Sequence, residues 1–289
     1  MRVLVVGALG QLGTELCKIY ADAEVHQADL DSPQHRLDIR DAAETLRTIA
    51  HHFKPNLVFN CAAAHNLPEC EEHPERAFAV NALGARNLAV ACREAGARLV
   101  HISTDYVFGN GATRAYVETD LPAPLNVYAA SKLAGEHLIA AELPNYIIVR
   151  TAAMYGPAEC RAKGGRNFVT LMLHLAASQP EVKVVTDEIT TPTYTVPLAR
   201  QLRLLAEKAA PGLYHGTCAG ECSWYEFAEA IFAETGLAVN LQKTTAAEFQ
   251  SPVKRPHYSV LENQRARQSG LDIMPHWRDA LREYLKTLQ

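Results

Sequence analysis

Short apolar runs alternate with longer amphipathic stretches along the first half of the chain. The first run, Arg2–Val6, is almost wholly apolar, as is typical of a parallel strand that is covered on both faces of its sheet. Further strands are predicted at residues 24–28, 56–61, 99–103 and 146–150. Helices are predicted at residues 14–20, 41–52, 74–96 and 126–141, and Gly96 is a typical helix stop. This order predicts an α/β fold with a Rossmann-like, doubly wound parallel sheet.

The alternation weakens beyond residue 155. Helices are predicted at residues 195–209 and 277–288, with a strand at residues 212–216 between them. Ser223 and Glu226 have the spacing of a capping box, which opens a further helix. We therefore predict a dinucleotide-binding Rossmann domain over residues 1–155. A smaller C-terminal substrate-binding part follows over residues 156–289, with some segments returning to the sheet.

Composition narrows the class of protein. The 289 residues are 48% hydrophobic, which is enough for a sizeable core. The net charge of −4 and the lack of a basic run argue against a nucleic-acid surface. We expect no membrane span and no signal peptide, because no apolar stretch is long enough and the chain opens on a strand.

The cysteines indicate a compartment. Seven are scattered along the chain, and an odd number in apparent core suits a reducing cytoplasm better than a disulfide framework. Cys218 and Cys222 form one close pair, but no second pair stands at zinc-ligand spacing. We therefore predict no metal site.

Three glycines follow the first strand. Gly7 permits a tight turn, Gly10 lets a pyrophosphate approach the backbone, and Gly13 lets the next helix pack closely on the strand. Gln11 and Leu12 lie in the same turn, where the helix N-terminus faces the phosphates. The spacing is Gly-x-x-Gly-x-x-Gly and not the Gly-x-Gly-x-x-Gly of the commonest dehydrogenases. The alternative is that these glycines serve only a turn.

An acidic residue about 20 positions further on is expected at the adenosine ribose. Asp29 closes the second strand and Asp31 follows it. Either carboxylate favours NADH, whereas nearby Arg36 favours the 2′-phosphate of NADPH, so both cofactors stay open. The other predicted cofactor contacts are Asp38 and Ile39 at the adenine and Cys61, Ala62 and Ala63 beside the pyrophosphate.

A possible acid–base site follows the fourth strand. Tyr128 and Lys132 are four residues apart, which places them on one face of a helix. A free tyrosine has a pKa of about 10, and a nearby ammonium lowers it. Thr104, at a strand end, supplies a hydroxyl that can hold a reacting oxygen. A solvent-facing Tyr and Lys on an amphipathic helix is the alternative.

Together these pieces resemble the extended short-chain dehydrogenase/reductase superfamily, and within it the dTDP-4-dehydrorhamnose reductases. The segments that carry the resemblance are Ser103-Thr-Asp-Tyr-Val-Phe108, Pro122-Ala-Pro-Leu-Asn-Val-Tyr128, Ser131-Lys-Leu-Ala-Gly-Glu136, Thr191-Pro-Thr-Tyr-Thr195, Gly220-Glu-Cys-Ser-Trp-Tyr-Glu-Phe227 and Arg255-Pro-His-Tyr-Ser-Val-Leu261. The resemblance implies NAD(P)H-dependent reduction of the 4-keto group of a nucleotide-activated 6-deoxysugar. It also allows a homodimer.

The resemblance implies a role for each residue of the site. Tyr128 protonates the developing alkoxide, Thr104 donates a hydrogen bond to the same oxygen, and Lys132 binds the nicotinamide ribose and depresses the pKa of Tyr128. Asp105 and Tyr106 are expected to face the sugar. Arg255 is the candidate for the nucleotide diphosphate; the alternative for Arg255 is a surface salt bridge.

Two segments depart from the family pattern. The family usually carries a tryptophan near the sugar where this chain has Ala153, and both Trp224 and Trp277 lie elsewhere in the sequence. His65 stands in an unusual segment and is a candidate polar contact to the sugar. These departures keep two alternatives open. One is a nucleotide-sugar epimerase, and the other is a non-catalytic nucleotide-binding subunit that resembles the regulatory β-subunit of methionine adenosyltransferase.

Overall fold

A computed structural model describes residues 1–109, 111–161, 164–249 and 251–288. The strands in this part of the chain are β1 (Arg2–Val6), β2 (Glu24–Ala28), β3 (Leu57–Asn60), β4 (Arg98–Thr104), β5 (Tyr146–Thr151), β6 (Met154–Tyr155), β7 (Val182–Val185), β8 (Ile189–Thr190), β9 (Thr193–Tyr194), β10 (Gly212–His215), β11 (Cys222–Ser223) and β12 (Leu241–Thr244).

The α-helices among the described residues are α1 (Gln11–Ile19), α2 (Ala42–Leu46), α3 (Leu67–Glu72), α4 (Pro74–Phe78), α5 (Ala85–Ala95), α6 (Val127–Glu142), α7 (Phe168–Ser178), α8 (Thr195–Lys208), α9 (Trp224–Thr235), α10 (Ala246–Phe249), α11 (Gln264–Gln268) and α12 (Trp277–Lys286). Two π-helices, Arg47–Phe53 and Ala79–Gly84, and a 3₁₀ turn, Asp105–Val107, complete the helical segments of the same ranges.

The centre of the fold is a parallel sheet. Within the described residues it has six strands in the order β2–β1–β3–β4–β5–β10. Successive residues of β1 point to opposite faces: Val3 and Val5 pack with α1 and α8, whereas Leu4 and Val6 pack towards α5 and the π-helix Arg47–Phe53. Both faces are therefore covered, and the predicted doubly wound α/β fold is confirmed.

The order in which strands are added to the sheet reverses after β2. From β1 the chain crosses to β2 on one side, and it then returns to β3 on the other side. In open α/β sheets such a switch point opens a crevice at the carboxyl ends of the strands, where ligands bind.

Two predicted helices are not regular. The predicted helix over 41–52 is α2 followed by a π-helix, and it ends where Lys54 adopts a positive φ of 47°. The predicted helix over 74–96 is α4, a π-helix and α5, and it does end at Gly96 with φ of 67°. The second π-helix carries Asn81, whose side chain binds the Ala64 backbone and the Ser131 hydroxyl.

The remainder of the chain builds a second core. Helices α7, α9 and α12 pack around Tyr155, Phe227 and Trp277. The Ser223–Glu226 capping box is present at the start of α9. However, α8 packs on α1 and β10 pairs with β5, so residues 195–215 pack with the six-stranded sheet and not with this second core. The division at residue 155 stays a prediction. None of the helices in the described ranges is long and apolar enough to cross a membrane.

Candidate active site

A cavity of about 710 Å³ opens at the carboxyl ends of β1 to β5. It is lined on one side by the glycine turn and the ends of the strands. The other side includes residues 153–154, 159–161, 188–190 and 224, which come from later in the chain. Every predicted site residue lines this cavity except Arg255.

The glycine turn is packed against the end of β3. Gly7 has a φ of 78°, and a Cβ on it would lie 2.7 Å from the Ala62 nitrogen. A Cβ on Gly13 would lie 2.1 Å from the Gly7 carbonyl oxygen. Both positions therefore require glycine, as predicted from the spacing. Gly10 precedes α1 without a side-chain cap, so the first N–H groups of the helix are open to the cavity.

The same turn shows that a dinucleotide fits. The side-chain nitrogen of Gln11 is buried and has no hydrogen-bond partner. A buried donor without a partner costs free energy, so such groups usually have one. Phosphate and ribose oxygens are suitable acceptors for Gln11 and for the open N–H groups of α1. Leu12 lies beside it as part of the buried core.

The two acids predicted for the ribose lie at the end of β2. Asp29 is buried, and its carboxylate accepts hydrogen bonds from the nitrogens of Leu9 at 3.2 Å and Asp31 at 3.1 Å. These contacts tie the acid to the glycine turn. Further along, Asp38 forms an ion pair with Arg40 at 2.6 Å, and its hydrogen bonds to that arginine lower the pKa of Asp38. The buried side chain of Ile39 completes this region.

The end of β3 forms the opposite wall with Cys61, Ala62 and Ala63. Burial raises the pKa of the Cys61 thiol to about 12, so this thiol is neutral at physiological pH. The Ala62 nitrogen donates to the side-chain oxygen of Asn60 at 3.1 Å. This bond orients the Asn60 amide, whose nitrogen then points at His101 Nδ1 at 2.9 Å.

The three predicted catalytic residues meet in the cavity. Thr104 is the last residue of β4, and Tyr128 and Lys132 stand on α6, which begins at the capping residue Asn126. Both Thr104 and Tyr128 line the cavity, and the Thr104 hydroxyl donates to the Asp105 carboxylate at 3.1 Å. Lys132 is 2% exposed. Two elements that are distant in sequence thus bring a phenol, a hydroxyl and an amine to one place.

The pKa of Tyr128 is shifted opposite to expectation. Burial raises the pKa of Tyr128 above its usual value, and the hydrogen bond from Thr104 only partly opposes that shift. Lys132 does not offset this shift, because its Nζ donates to the Ile102 carbonyl at 2.6 Å and lies 3.2 Å from His101 Nε2. The lysine is held by β4 and does not act on the phenol. Tyr128 is therefore protonated at neutral pH.

The surroundings of Lys132 disfavour the protonated form of its amine. Burial lowers the pKa of Lys132 to about 8, against the attraction of Glu136. His101 is buried, and burial together with Lys132 holds its pKa well below the ordinary value. With the Asn60 amide donating to Nδ1, the neutral ring carries its proton on Nε2, directed at Lys132. A neutral amine accepts that proton, whereas an ammonium repels it.

Asp105 and Tyr106 continue from Thr104 into the cavity. Burial raises the pKa of Asp105 to about 7, while hydrogen bonds from Ser259, at 2.6 Å, and Thr104 lower it. The Tyr106 ring stands edge-on to Tyr128 with the ring centres 6.3 Å apart. Burial also raises the pKa of Tyr106. Asp105 thus contacts the Thr104 hydroxyl, and the Tyr106 ring lies beside the Tyr128 ring.

The segments that depart from the family pattern also line the cavity. Ala153 adopts a φ of 41°, which is strained for any residue except glycine, and such strain is frequent at ligand sites. His65 is half-buried, with its Nε2 4.0 Å from the Cys160 thiol.

Sequence reasoning missed Trp224 and Glu188. Both line the cavity, and the Trp224 backbone nitrogen donates to the Glu188 carbonyl at 3.3 Å. The segment Gly220–Phe227 was one of those that carried the resemblance, and this was the available signal for Trp224. Arg255 does not line the cavity; its Nη1 lies 3.8 Å from Glu188. A role for Arg255 at a diphosphate stays a prediction.

Comparison with known proteins identifies the family. The model of the RmlD substrate binding domain matches residues 1–289. The chain belongs to this family. The spore coat polysaccharide biosynthesis protein SpsK of Bacillus subtilis is 40% identical over 286 residues, covering 99% of this chain and 97% of SpsK.

Two solved structures are similar over the whole chain. A dTDP-4-dehydrorhamnose reductase from Clostridium acetobutylicum has a TM-score of 0.94 and 41% identity, with 100% of both chains covered. A dTDP-4-dehydrorhamnose reductase from Bacillus anthracis, in complex with NADP, has a TM-score of 0.92 and 35% identity, with 99% of both chains covered. The epimerase and regulatory-subunit alternatives are not favoured by these comparisons.

Proposed function

We propose that the protein uses NADPH to reduce the 4-keto group of a nucleotide-activated 6-deoxysugar, converting dTDP-4-dehydrorhamnose to dTDP-rhamnose. The observation that carries this proposal is that Thr104, Tyr128 and Lys132 line the same cavity as the Gly7–Gly13 turn. The two solved relatives, one of them in complex with NADP, support the choice of sugar and cofactor.

The chemistry needs a proton donor beside a carbonyl. When bound, NADPH supplies the hydride that goes to C4 of the sugar. The C4 oxygen then takes the proton of the Tyr128 hydroxyl, so that one C–H and one O–H bond replace the π bond of the carbonyl. Burial keeps Tyr128 protonated beforehand. The Thr104 hydroxyl donates to the same oxygen and stabilises its developing charge.

Lys132 has a separate role in this proposal. Its amine would hold the ribose hydroxyls of the dinucleotide. A cation at that place favours the phenolate that remains after proton transfer.

The sugar lies between the catalytic hydroxyls and the later segments of the chain. Asp105 and Tyr106 face it from the 3₁₀ turn after β4, and His65 and Ala153 lie along its edge. Trp224 offers an aromatic side chain on the far side of the cavity. An aromatic face covers the apolar side of a sugar ring, so Trp224 supplies a surface that Ala153 cannot.

We propose the cytoplasm as the compartment. Cys92 and Cys222 are buried thiols, and burial raises the pKa of each. Such thiols are structural and suit a reducing environment.

The test mixes the enzyme with NADPH and dTDP-4-dehydro-6-deoxy-L-mannose generated in place, and follows the loss of NADPH absorbance. We expect one NADPH consumed per sugar. Tyr128→Phe should lower turnover by about 10²-fold or more, as is usual for a lost general acid, while cofactor binding persists. Tyr225→Phe, which is outside the cavity, is the matched control. Cofactor binding without consumption would contradict the proposal.

A further inference from the structure

The adenosine end of the cavity carries two acids. The Asp29 side chain is buried, whereas the Asp31 side chain is 62% exposed. Left alone, this pair repels the 2′-phosphate of NADPH and accepts a hydrogen bond from the 2′-hydroxyl of NADH. The two acids by themselves therefore predict NADH, whereas the function proposed above uses NADPH.

Arg161 reaches these acids from the other side of the cavity. It follows β6 in the segment that lines the far wall, 132 and 130 positions from the two aspartates. Its Nη1 lies 3.3 Å from an Asp29 carboxylate oxygen, and its Nη2 is hydrogen-bonded to Asp31. The Arg161 side chain is 42% exposed, so it can turn towards a ligand without unfolding the segment.

A second arginine of the same region is already engaged. Arg40 lines the cavity, but its Nε and Nη2 hold the Asp38 carboxylate at 2.9 Å and 2.6 Å. Moving Arg40 to a phosphate would give up a bidentate pair. Arg161, by contrast, gives up a contact to the exposed Asp31 and a longer one to Asp29.

We propose that Arg161 is the residue that lets the protein accept a 2′-phosphorylated dinucleotide. Paired with Asp29 and Asp31, its guanidinium offsets their charge; with NADPH bound, it binds the 2′-phosphate with its planar fork of donors. NADH has no such group, and the arginine stays on the acids. This inference rests on the proposed use of NADPH, and it assigns cofactor choice to a residue outside the Rossmann turn.

The experiment measures dinucleotide binding without any sugar. NADPH and NADH are titrated separately into the wild type, Arg161→Gln, Arg161→Lys and Arg166→Gln, and cofactor fluorescence gives each Kd. Arg166 is the matched control, because it is an exposed arginine of the same segment that does not line the cavity.

We expect Arg161→Gln to raise the Kd for NADPH by about tenfold or more, which is about 1.4 kcal/mol. The Kd of this variant for NADH should change by less than about threefold, because NADH has no 2′-phosphate for Arg161 to bind. The Kd of Arg161→Lys for NADPH should lie between those of the wild type and Arg161→Gln, because lysine keeps the charge but lacks the planar fork of donors. Arg166→Gln should match the wild type.

The proposal would be overturned if Arg161→Gln weakened the binding of NADPH and NADH equally, or if it changed the Kd of neither dinucleotide. Thermal unfolding of each variant checks that the fold is kept. Because binding is measured without sugar, its outcome is independent of turnover. If Arg161 discriminates the phosphate but keto-sugars are not reduced, the proposed function fails and this inference stands.

Discussion

Replacing Lys132 with Met should stabilise the protein while removing its activity. The Lys132 side chain is 2% exposed, and burial lowers its pKa to about 8 from an ordinary value of 10.5. Methionine has a similar length and no charge, so it fills the space without an ionisable group. The lost contact is the hydrogen bond to the Ile102 carbonyl at 2.6 Å.

The size of the effect follows from the pKa difference. At pH 7 lysine is protonated in both states, and a difference of roughly 2.5 pKa units costs the folded state about 3 kcal/mol. Loss of the hydrogen bond to Ile102 destabilises the variant by about 1 kcal/mol. The free energy of unfolding of Lys132→Met should therefore exceed that of the wild type by about 2 kcal/mol. Between pH 8 and pH 10.5 the unfolded chain binds more protons than the folded one, so wild-type stability rises with pH. Near pH 10 the cost falls to about 1 kcal/mol and the advantage of the variant disappears.

Urea unfolding of the wild type and Lys132→Met at pH 7 and pH 10 tests this reasoning. Lys183→Met is the control, because the Lys183 side chain is 62% exposed and its loss should change stability by less than about 0.5 kcal/mol at either pH. A variant less stable than the wild type at pH 7 would refute the reasoning. So would a stability difference that is the same at both pH values.

Three further predictions concern the turn, the core and the sugar site. Gly13→Ala places a Cβ 2.1 Å from a backbone oxygen, so NADPH titration should show binding lost or weakened by at least about tenfold. Glu136→Gln leaves the buried guanidinium of Arg150 without its ion-pair partner, 2.6 Å away, and denaturant unfolding should show a loss of about 3–5 kcal/mol. Trp224 faces the cavity, so dTDP-sugar should quench wild-type indole fluorescence, and the quenching should be absent in Trp224→Phe. Unchanged NADPH affinity in Gly13→Ala would contradict the first prediction, and unchanged stability of Glu136→Gln would contradict the second. Quenching that persists in Trp224→Phe would contradict the third.

The local parts of the fold were predictable from the sequence because their signals are local. The apolar run of β1, the glycines that follow it and the stop at Gly96 each act within a few residues. Helix α1 begins at Gln11, three residues before the prediction, because Gly10 already serves as its cap. The π-helices carry no comparable sequence signal, since they depend on tertiary contacts such as those of Asn81.

Residues of the site could be predicted to lie together only where they come from one segment of the chain. The i, i+4 spacing placed Tyr128 and Lys132 on one helix, but not the direction of the lysine, which depends on the Ile102 carbonyl of another element. Trp224 and Arg161 reach the cavity from segments far along the chain. No spacing rule connects such residues to the glycine turn, because their position is set by packing of the C-terminal helices against the sheet.

The most direct test of the central claim follows the hydride itself. NADPH carrying deuterium at the transferable position is mixed with the enzyme and the 4-keto sugar, and the product is examined by NMR. The account predicts one deuterium at C4 of the product sugar, formed at a rate that Tyr128→Phe lowers by about 10²-fold or more. A product with no deuterium at C4, or label transfer that does not depend on Tyr128, would contradict it.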